Sequence, residues 1–248
     1  MPDNPFFKNF AEEYSKSKSH RYGDDLTILS NLMGEDNEVC LDIAAGTGFT
    51  TIELSKRCKR VIALDQTASM IEKARELANS KGIRNIDFIN LDFELFRPEF
   101  KFDVITIRRA LHHFRDKDLF FSKSSESLKA GGSILIADML SPEGDYGDLF
   151  NSLERLRDST HVGALREEDY KYYFKKYGLT EAGRHITTEK FSFSEWLYPI
   201  DEKSKIALDC LNFLRSLNSD ALDAIGFDLP NMTLLKKRII IQGKKTRN

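Results

Sequence analysis

The fold is decided by residues 39–51, which read VCLDIAAGTGFTT. An apolar run with one acidic residue, Asp42, leads into a turn that contains Gly46 and Gly48, and a stretch with helical periodicity follows. Glycine lets a backbone turn approach a ligand closely, because it has no Cβ to collide with it. The stretch therefore predicts a strand, a ligand-binding turn and a helix, in that order.

The same alternation continues outward from this stretch. Apolar runs at 60–65 (RVIALD), 86–92 (IDFINLD), 102–110 (FDVITIRRA) and 130–139 (AGGSILIADM) are separated by helical patterns. Such alternation predicts an α/β fold with a doubly wound, mostly parallel sheet that is covered by helices on both faces. A last strand is expected within residues 232–245.

The remaining segments are expected to belong to one domain spanning residues 1–248. Residues 1–35 are predicted to be a helical N-terminal segment, and residues 142–178 a helical insertion over the ligand end of the sheet. Residues 185–196 (HITTEKFSFSEW) alternate like a strand, and residues 201–226 look helical. Aromatic side chains at helical spacing within residues 169–178 are interpreted as a core stripe.

The composition of the chain limits the functions and the cellular locations that are expected for it. The formal net charge of −2 argues against a main role in holding nucleic acid, and the basic run at 236–248 is interpreted as solvated strand flanks. Three scattered cysteines without a CxxC motif predict free thiols in a reducing compartment. Without a signal-peptide pattern or a run of about 20 apolar residues, the expected location is the cytoplasm, with no membrane span.

The glycine turn is compatible with two classes of ligand. A dinucleotide fingerprint needs G-x-G-x-x-G, but its third glycine would fall on Thr51, and the acidic Asp42 lies outside that pattern. Asp65 ends the second strand about 20 residues later, where a carboxylate can accept hydrogen bonds from ribose hydroxyls in either class. The dinucleotide interpretation is therefore the weaker one.

The run of Asp42, Gly46 and Gly48 resembles the first motif of the Rossmann-like S-adenosylmethionine methyltransferases. Ala44 stands where that family's first glycine is commonest, and an alanine there is expected to have a negative φ. The stretches FDVITIRRALHHF and LKAGGSILIAD resemble the family's later motifs. RRALHHF, RDSTHV and the segment from Tyr14 to Leu26 are similar to the small-molecule branch that includes ubiquinone and menaquinone biosynthesis methyltransferases.

This resemblance implies a seven-stranded sheet whose last strand is antiparallel and lies beside the fifth, and it implies S-adenosylmethionine as the cofactor. Asp65 would accept from the ribose, Asp92 from the adenine amino group, and Phe93 would offer its backbone amide. A turn-capping role for Asp92 stays open. The full set of cofactor-binding residues implied is Tyr14, His20, Asp42, Ala44, Gly46, Gly48, Asp65, Gln66, Met70, Asp92, Phe93 and Arg108.

Methyl transfer requires alignment of a nucleophile and exclusion of water, and it needs a general base only if the acceptor must lose a proton. The candidates for that base are His112, His113 and His161, because the pKa of histidine lies near neutrality. His112 and His113 are adjacent, so at most one is expected to face the substrate. No residue spacing indicates a metal site.

A small-molecule acceptor is the leading hypothesis, and nucleic acid is an unlikely partner. A nucleic-acid, chiefly RNA, methyltransferase on the same fold is one alternative. Against it, the residues after the fourth strand read RRALHH, where amino-methylating nucleic-acid enzymes carry an N/D-P-P-Y motif. A cofactor-binding protein without catalysis is the other alternative, since methyl transfer demands no diagnostic catalytic residue.

Overall fold

The computed structural model describes residues 5–16 and 21–246, with residues 5–10 described in their helical backbone alone. The described residues before the sheet include the helices α1 (Pro5–Lys16) and α2 (Asp24–Leu32). The first part of the sheet region contains β1 (Asn37–Ile43), α3 (Phe49–Ser55), β2 (Cys58–Asp65), α4 (Ala68–Ser80), β3 (Ile86–Asn90), β4 (Phe102–Arg108), a 3₁₀ turn (Leu111–His113), α5 (Lys117–Ser127) and β5 (Leu128–Met139).

The second part of the chain is richer in helices. It contains α6 (Tyr146–Arg157), α7 (Glu167–Lys176), β6 (Leu179–Ser192), α8 (Phe193–Leu197), α9 (Lys205–Ser216), α10 (Ser219–Ile225), the two-residue β7 (Phe227–Asp228) and β8 (Thr233–Lys245). The predicted strand at 185–196 is wrong at its end, because Ser192 caps a helix: its Oγ accepts from the Glu195 backbone N–H, and the Glu195 carboxylate accepts from the Ser192 N–H.

The sheet runs in the order β3-β2-β1-β4-β5-β8-β6, with β7 paired to β8. β1 to β5 are parallel to one another, whereas β8 is antiparallel to both β5 and β6. This confirms the predicted α/β class, the mostly parallel sheet and the antiparallel last strand beside the fifth. The strand order reverses at β1 and β4, so the carboxyl ends of these two strands border a crevice where ligands bind in such sheets.

Among the described residues, three apolar clusters hold the helices on the sheet, and two of them involve helices that follow β5. One contains central-strand residues such as Ile43 and Ile107 together with Tyr170 and Phe174 of α7, as the helical spacing of those rings predicts. The other contains Trp196, Leu197 and Leu214 from α8 and α9. Met139 of β5 and Leu234 of β8 also belong to the second cluster, so these helices pack directly on the sheet.

The prediction of three free thiols is wrong. Cys40 and Cys58 form a disulfide with their Cα atoms 6.3 Å apart, and Cys210 is a buried free thiol. Cys40 lies within β1 and Cys58 begins the neighbouring parallel strand β2, where Asn37 pairs with Cys58. The pairing of β1 with β2 brings the two sulfurs together, and a separation of 18 residues in sequence does not reveal it.

In the described part of the chain, no helix has the length and apolar content that crossing a membrane requires.

Candidate active site

A cavity of about 520 Å³ opens at the carboxyl ends of β1, β2 and β4. Its walls come from the glycine turn, from the ends of the strands, and from Ser159, Thr160 and Val162 in the loop that follows α6. Nine of the predicted cofactor-binding residues line it: Tyr14, Ala44, Gly46, Asp65, Gln66, Met70, Asp92, Phe93 and Arg108. His20 lies outside the described residues.

The turn after β1 is built from left-handed backbone conformations. Gly46 has φ +53° and Gly48 has φ +91°. A Cβ on Gly48 would lie 2.9 Å from the Cβ of Ala74 in α4, so only glycine fits there. The expected negative φ of Ala44 is wrong, since its φ is +54°. The next residue, Ala45, donates its N–H to the Leu64 carbonyl at 3.0 Å, and this tie to β2 fixes a conformation that costs alanine about 1 kcal/mol.

Asp65 is held by two backbone donors at the end of β2. Its Oδ2 accepts from the Gly46 N–H and its Oδ1 from the Thr67 N–H, both at 2.8 Å. The side chain lies in the cavity wall, and its burial raises its pKa. Each carboxylate oxygen has a second lone pair, so the fixed group can accept further hydrogen bonds from a ligand.

Asp42 does not line the cavity. Its Oδ2 accepts from the Thr51 hydroxyl at 2.6 Å and its Oδ1 from the Thr106 hydroxyl at 2.8 Å, which ties β1 to α3 and β4. Burial raises the pKa of Asp42 to about 6, against the lowering effect of these two hydrogen bonds. These contacts therefore stabilise the elements on either side of the turn, and Asp42 itself does not face the cavity.

Replacing Asp42 by asparagine is expected to give a pH-dependent change in stability. The folded protein binds the Asp42 proton more tightly than the unfolded chain, so protonation of Asp42 stabilises the parent. This stabilisation is present at about pH 4 and is lost as the pH rises through 6. The free energy of unfolding of D42N relative to the parent should therefore increase by about 2 kcal/mol from pH 4 to pH 7. Urea unfolding at several pH values measures it.

Asp103→Asn is the matched control, because its pKa shift has the opposite sign. Burial of Asp103 is outweighed by hydrogen bonds from Lys129 and the Val39 N–H, which lower its pKa. The ionised Asp103 stabilises the parent, and this stabilisation is lost as the pH falls. The free energy of unfolding of D103N relative to that of the parent should therefore increase toward low pH. Equal slopes for the two variants would contradict the prediction.

Asp92 and Phe93 follow β3 and line the larger cavity. Oδ1 of Asp92 accepts from the Glu94 N–H at 2.9 Å, as in a turn cap, and the side chain also lies in the cavity wall. Phe93 is buried and packs against Phe114 and Phe120, while its carbonyl accepts from Lys123. Asp92 thus both caps the turn and lies in the cavity wall, so a capping role does not exclude contact with a ligand.

Arg108 is the last residue of β4, Arg109 follows it, and the two arginines share one carboxylate. Each guanidinium donates two hydrogen bonds of 2.8–2.9 Å to Asp25 of α2, which is 1% exposed. Burial acts to raise the pKa of Asp25, but the two arginines lower it well below its usual value. Both arginines also line the cavity, and the sequence carried no sign of Asp25 as their partner.

A smaller cavity of about 140 Å³ lies next to the first. Tyr14, Arg109 and His113 line both cavities and therefore form the boundary between them. The far wall of the smaller cavity carries the aromatic residues Phe191, Trp196 and Tyr198. Trp196 is buried and donates its Nε1–H to Glu154 at 3.1 Å.

His112 is held by Asp138, the second-last residue of β5. Nδ1 of His112 lies 2.6 Å from Oδ1 of Asp138, and the backbone N–H of His112 donates to Oδ2 at 2.9 Å. Burial would raise the pKa of Asp138, but contact with His112 lowers it to about 2, so the carboxylate is ionised. A carboxylate only accepts hydrogen bonds, so Nδ1 carries a proton and Nε2 is the nitrogen that can take one up.

The other two histidines differ in position. His113 lines both cavities, and its Nδ1 donates to the Thr160 carbonyl at 3.1 Å. His112 and His113 lie in one 3₁₀ turn with ring centroids 4.0 Å apart, and both line the smaller cavity. That at most one of them faces the substrate stays a prediction. His161 lines neither cavity; its Nε2 donates to Asn151 at 2.7 Å, and burial lowers its pKa to about 3.

Two buried cations in the smaller cavity come from the basic run near the C-terminus. Lys236 and Arg238 of β8 are 5% and 7% exposed, so the interpretation of this run as solvated flanks is wrong for them. They alternate with the exposed Lys237, as expected for one face of a strand. Three consecutive cations within a predicted strand are the signal that could have indicated this, because successive side chains of a strand point to opposite faces and so at least one of the three must point inward.

Comparison with known proteins agrees with this geometry. Residues 34–178 match the family model described as a methyltransferase domain. The uncharacterized methyltransferase YcgJ of Bacillus subtilis is 30% identical over 98% of both chains. The structure of a YcgJ protein from the same genus matches 92% of this chain and all of its own, with a TM-score of 0.84 and 26% identity.

More distant relatives share parts of this likeness. The ubiquinone/menaquinone biosynthesis C-methyltransferase UbiE of Pseudoalteromonas translucida is 32% identical over 62% of this chain and 64% of its own. The fold is shared with a Thiobacillus denitrificans S-adenosylmethionine-dependent methyltransferase solved with S-adenosylhomocysteine, at 15% identity and a TM-score of 0.63 over 97% and 98% of the two chains. The family model covers more than half of the chain and YcgJ nearly all of it, and the chain therefore belongs to the methyltransferase domain family.

Proposed function

We propose that this protein transfers a methyl group from S-adenosylmethionine to a small-molecule acceptor. The observation that carries the proposal is the pair of adjoining cavities at the carboxyl edge of the sheet. They share Tyr14, Arg109 and His113 as a common wall. A donor in the larger cavity and an acceptor in the smaller one would meet at this wall, as an in-line displacement requires.

The residues of the larger cavity fit S-adenosylmethionine. Its volume of about 520 Å³ lies in the range of small-molecule sites. Asp65 would accept hydrogen bonds from the ribose, while Asp92 and Phe93 would contact the adenine. Gly46 leaves open space, since a Cβ added there would meet no atom within 4 Å. When bound, the cofactor supplies an electrophilic methyl group on a sulfonium.

His112 is the proposed general base. The bond from its Nδ1–H to Asp138 fixes the ring and leaves Nε2 to receive a proton from the acceptor. The ionised Asp138 would then stabilise the imidazolium that forms, which is the role of the carboxylate in other histidine–aspartate pairs. His113 would shape the wall between the cavities, and His161 would support His112, whose ring centroid lies 5.4 Å away.

The size of the smaller cavity favours a small molecule over a nucleic acid. About 140 Å³ accommodates a compact group, and its wall contains the buried Trp196 and the half-buried Phe191. The net charge of −2 also offers little attraction for a polyanion. Steeply salt-dependent binding of transfer RNA or duplex would support the nucleic-acid alternative.

Asp65→Ala is expected to weaken binding of S-adenosylhomocysteine by at least about tenfold, because two charge-assisted hydrogen bonds to the ribose are lost. The measurement is calorimetric titration of the purified protein. Asp87→Ala is the matched control: Asp87 is an exposed aspartate on the neighbouring strand β3 that pairs with Arg60 at the surface. Its affinity for S-adenosylhomocysteine should equal that of the parent.

NADH in a parallel titration distinguishes the two cofactor classes. Binding of NADH without binding of S-adenosylhomocysteine would refute the proposal. Binding of S-adenosylhomocysteine by the parent, together with no turnover of S-adenosylmethionine across a broad panel of acceptors, would favour the non-catalytic alternative. Formation of S-adenosylhomocysteine with any small acceptor supports the proposed function.

A further inference from the structure

We propose that the smaller cavity binds an anionic oxygen group of the acceptor, a carboxylate or a phosphate, through Arg238 with Lys236 beside it. The inference rests on the proposed function, because it assigns the acceptor's chemical class at the same site. It begins from the two cations that β8 directs inward at the edge of the sheet. Arg238 of β8 pairs with Met139 of β5, and the next residue, Ile239, pairs with Asp138. Arg238 is therefore one position along the sheet from Asp138, whose carboxylate contacts His112.

Arg238 has a hydrogen-bonding donor that the described residues do not use. Its Nε is buried and has no hydrogen-bond partner there. Among the described residues, its ion-pair contacts are with Glu189 alone, at 3.5 Å from both Nε and Nη2. A buried guanidinium with long contacts has lost its hydration without full compensation, so an anion in the cavity would satisfy it.

The other charges of the cavity leave room for such an anion. The lining carries the cations Arg109, Arg157, Lys236 and Arg238 and the acids Glu13, Asp158 and Glu195. Glu195 accepts from Ser192 in a capping box, and Asp158 accepts from the N–H and hydroxyl of Thr160. Two of the three acids are therefore committed to local hydrogen bonds, whereas the third, Glu13, has a buried Oε2 without a hydrogen-bond partner among the described residues and would compete with an anion for the lining cations.

Lys236 adds a second positive charge beside Arg238. Its Nζ lies 2.7 Å from Oε1 of the buried Glu154. Burial, together with neighbouring arginines, lowers the pKa of Lys236 to about 8 and that of Arg238 to about 10, against the raising effect of nearby acids. An anion bound between these cations would favour their charged forms, because opposite charges stabilise each other most where water is excluded.

The test uses inorganic phosphate as the probe and the full chain saturated with S-adenosylhomocysteine, so that the larger cavity is filled. Phosphate binding is followed by ³¹P NMR. Arg238→Gln is expected to weaken phosphate binding about ten- to a hundredfold, because charge-assisted hydrogen bonds are lost. Arg238→Lys should weaken phosphate binding by less, because it keeps the positive charge. Lys237→Gln is the matched control, because it removes the same charge from the neighbouring, solvent-facing position of β8.

Retained binding of S-adenosylhomocysteine shows that each variant is folded. Loss of phosphate binding in Arg238→Gln but not in Lys237→Gln supports the inference. No phosphate binding by the parent, or equal binding by the two glutamine variants, overturns it and leaves the proposed cofactor untouched. Failure of the parent to bind S-adenosylhomocysteine would refute the proposed function itself.

Discussion

Methyl transfer by His112→Gln is expected to be 10²- to 10⁴-fold slower than by the parent, since that is the usual contribution of a positioned general base. Binding of S-adenosylhomocysteine should remain unchanged, because His112 lines the smaller cavity and not the larger one. Turnover is measured as S-adenosylhomocysteine formation with an acceptor found by screening. The effect should fall on kcat, with little change in the KM for S-adenosylmethionine.

Asp138→Asn should reproduce most of this loss while keeping the shape of the site. An amide at this position can donate a hydrogen bond to Nδ1, which favours the tautomer that carries its proton on Nε2 and cannot accept one there. His185→Gln is the control, because His185 is exposed on β6. A fall of less than about threefold in His112→Gln would contradict the role of general base, which normally contributes at least 10²-fold.

Asp25→Ala is expected to lower the free energy of unfolding by about 3–5 kcal/mol, the usual effect of removing one partner from a buried ion pair. Asp25 is the shared acceptor of four hydrogen bonds from Arg108 and Arg109, whose side chains are 4% and 6% exposed. Without it, two guanidinium groups would lie close together with their main counter-charge missing. Urea unfolding followed by circular dichroism measures the change.

The neighbouring Asp24 provides the matched control for this prediction. It precedes Asp25 at the start of α2 but is exposed, so Asp24→Ala should change stability by less than about 1 kcal/mol. Similar losses in the two variants would mean that the effect arises at the helix N-terminus. In that case the buried arrangement with Arg108 and Arg109 would contribute little.

Local sequence patterns determined the parts of this protein that depend on neighbouring residues. Continuous apolar runs predicted β1 to β5, and helical periodicity predicted the helices between them, because each of these patterns is complete within a few residues. The glycine turn and Asp65 were recognisable since each follows a strand directly. The resemblance to a known family added the position of β8 beside β5, which no local pattern contains.

Only the tertiary structure decided which distant charges meet. Asp25 contacts arginines 83 and 84 residues away, and Lys236 reaches Glu154 across 82 residues, pairings that leave no periodic signal along the chain. The disulfide between Cys40 and Cys58 depends in the same way on the register of β1 with β2.

The smaller cavity also depends on the tertiary structure. Its walls come from α1, β5, α6, β6, α8 and β8, elements that are far apart in sequence. Local patterns thus specified the elements and the turn for the cofactor. The charges and the shape of the smaller cavity were set by the packing of distant strands and helices, because burial and pairing are properties of the folded chain.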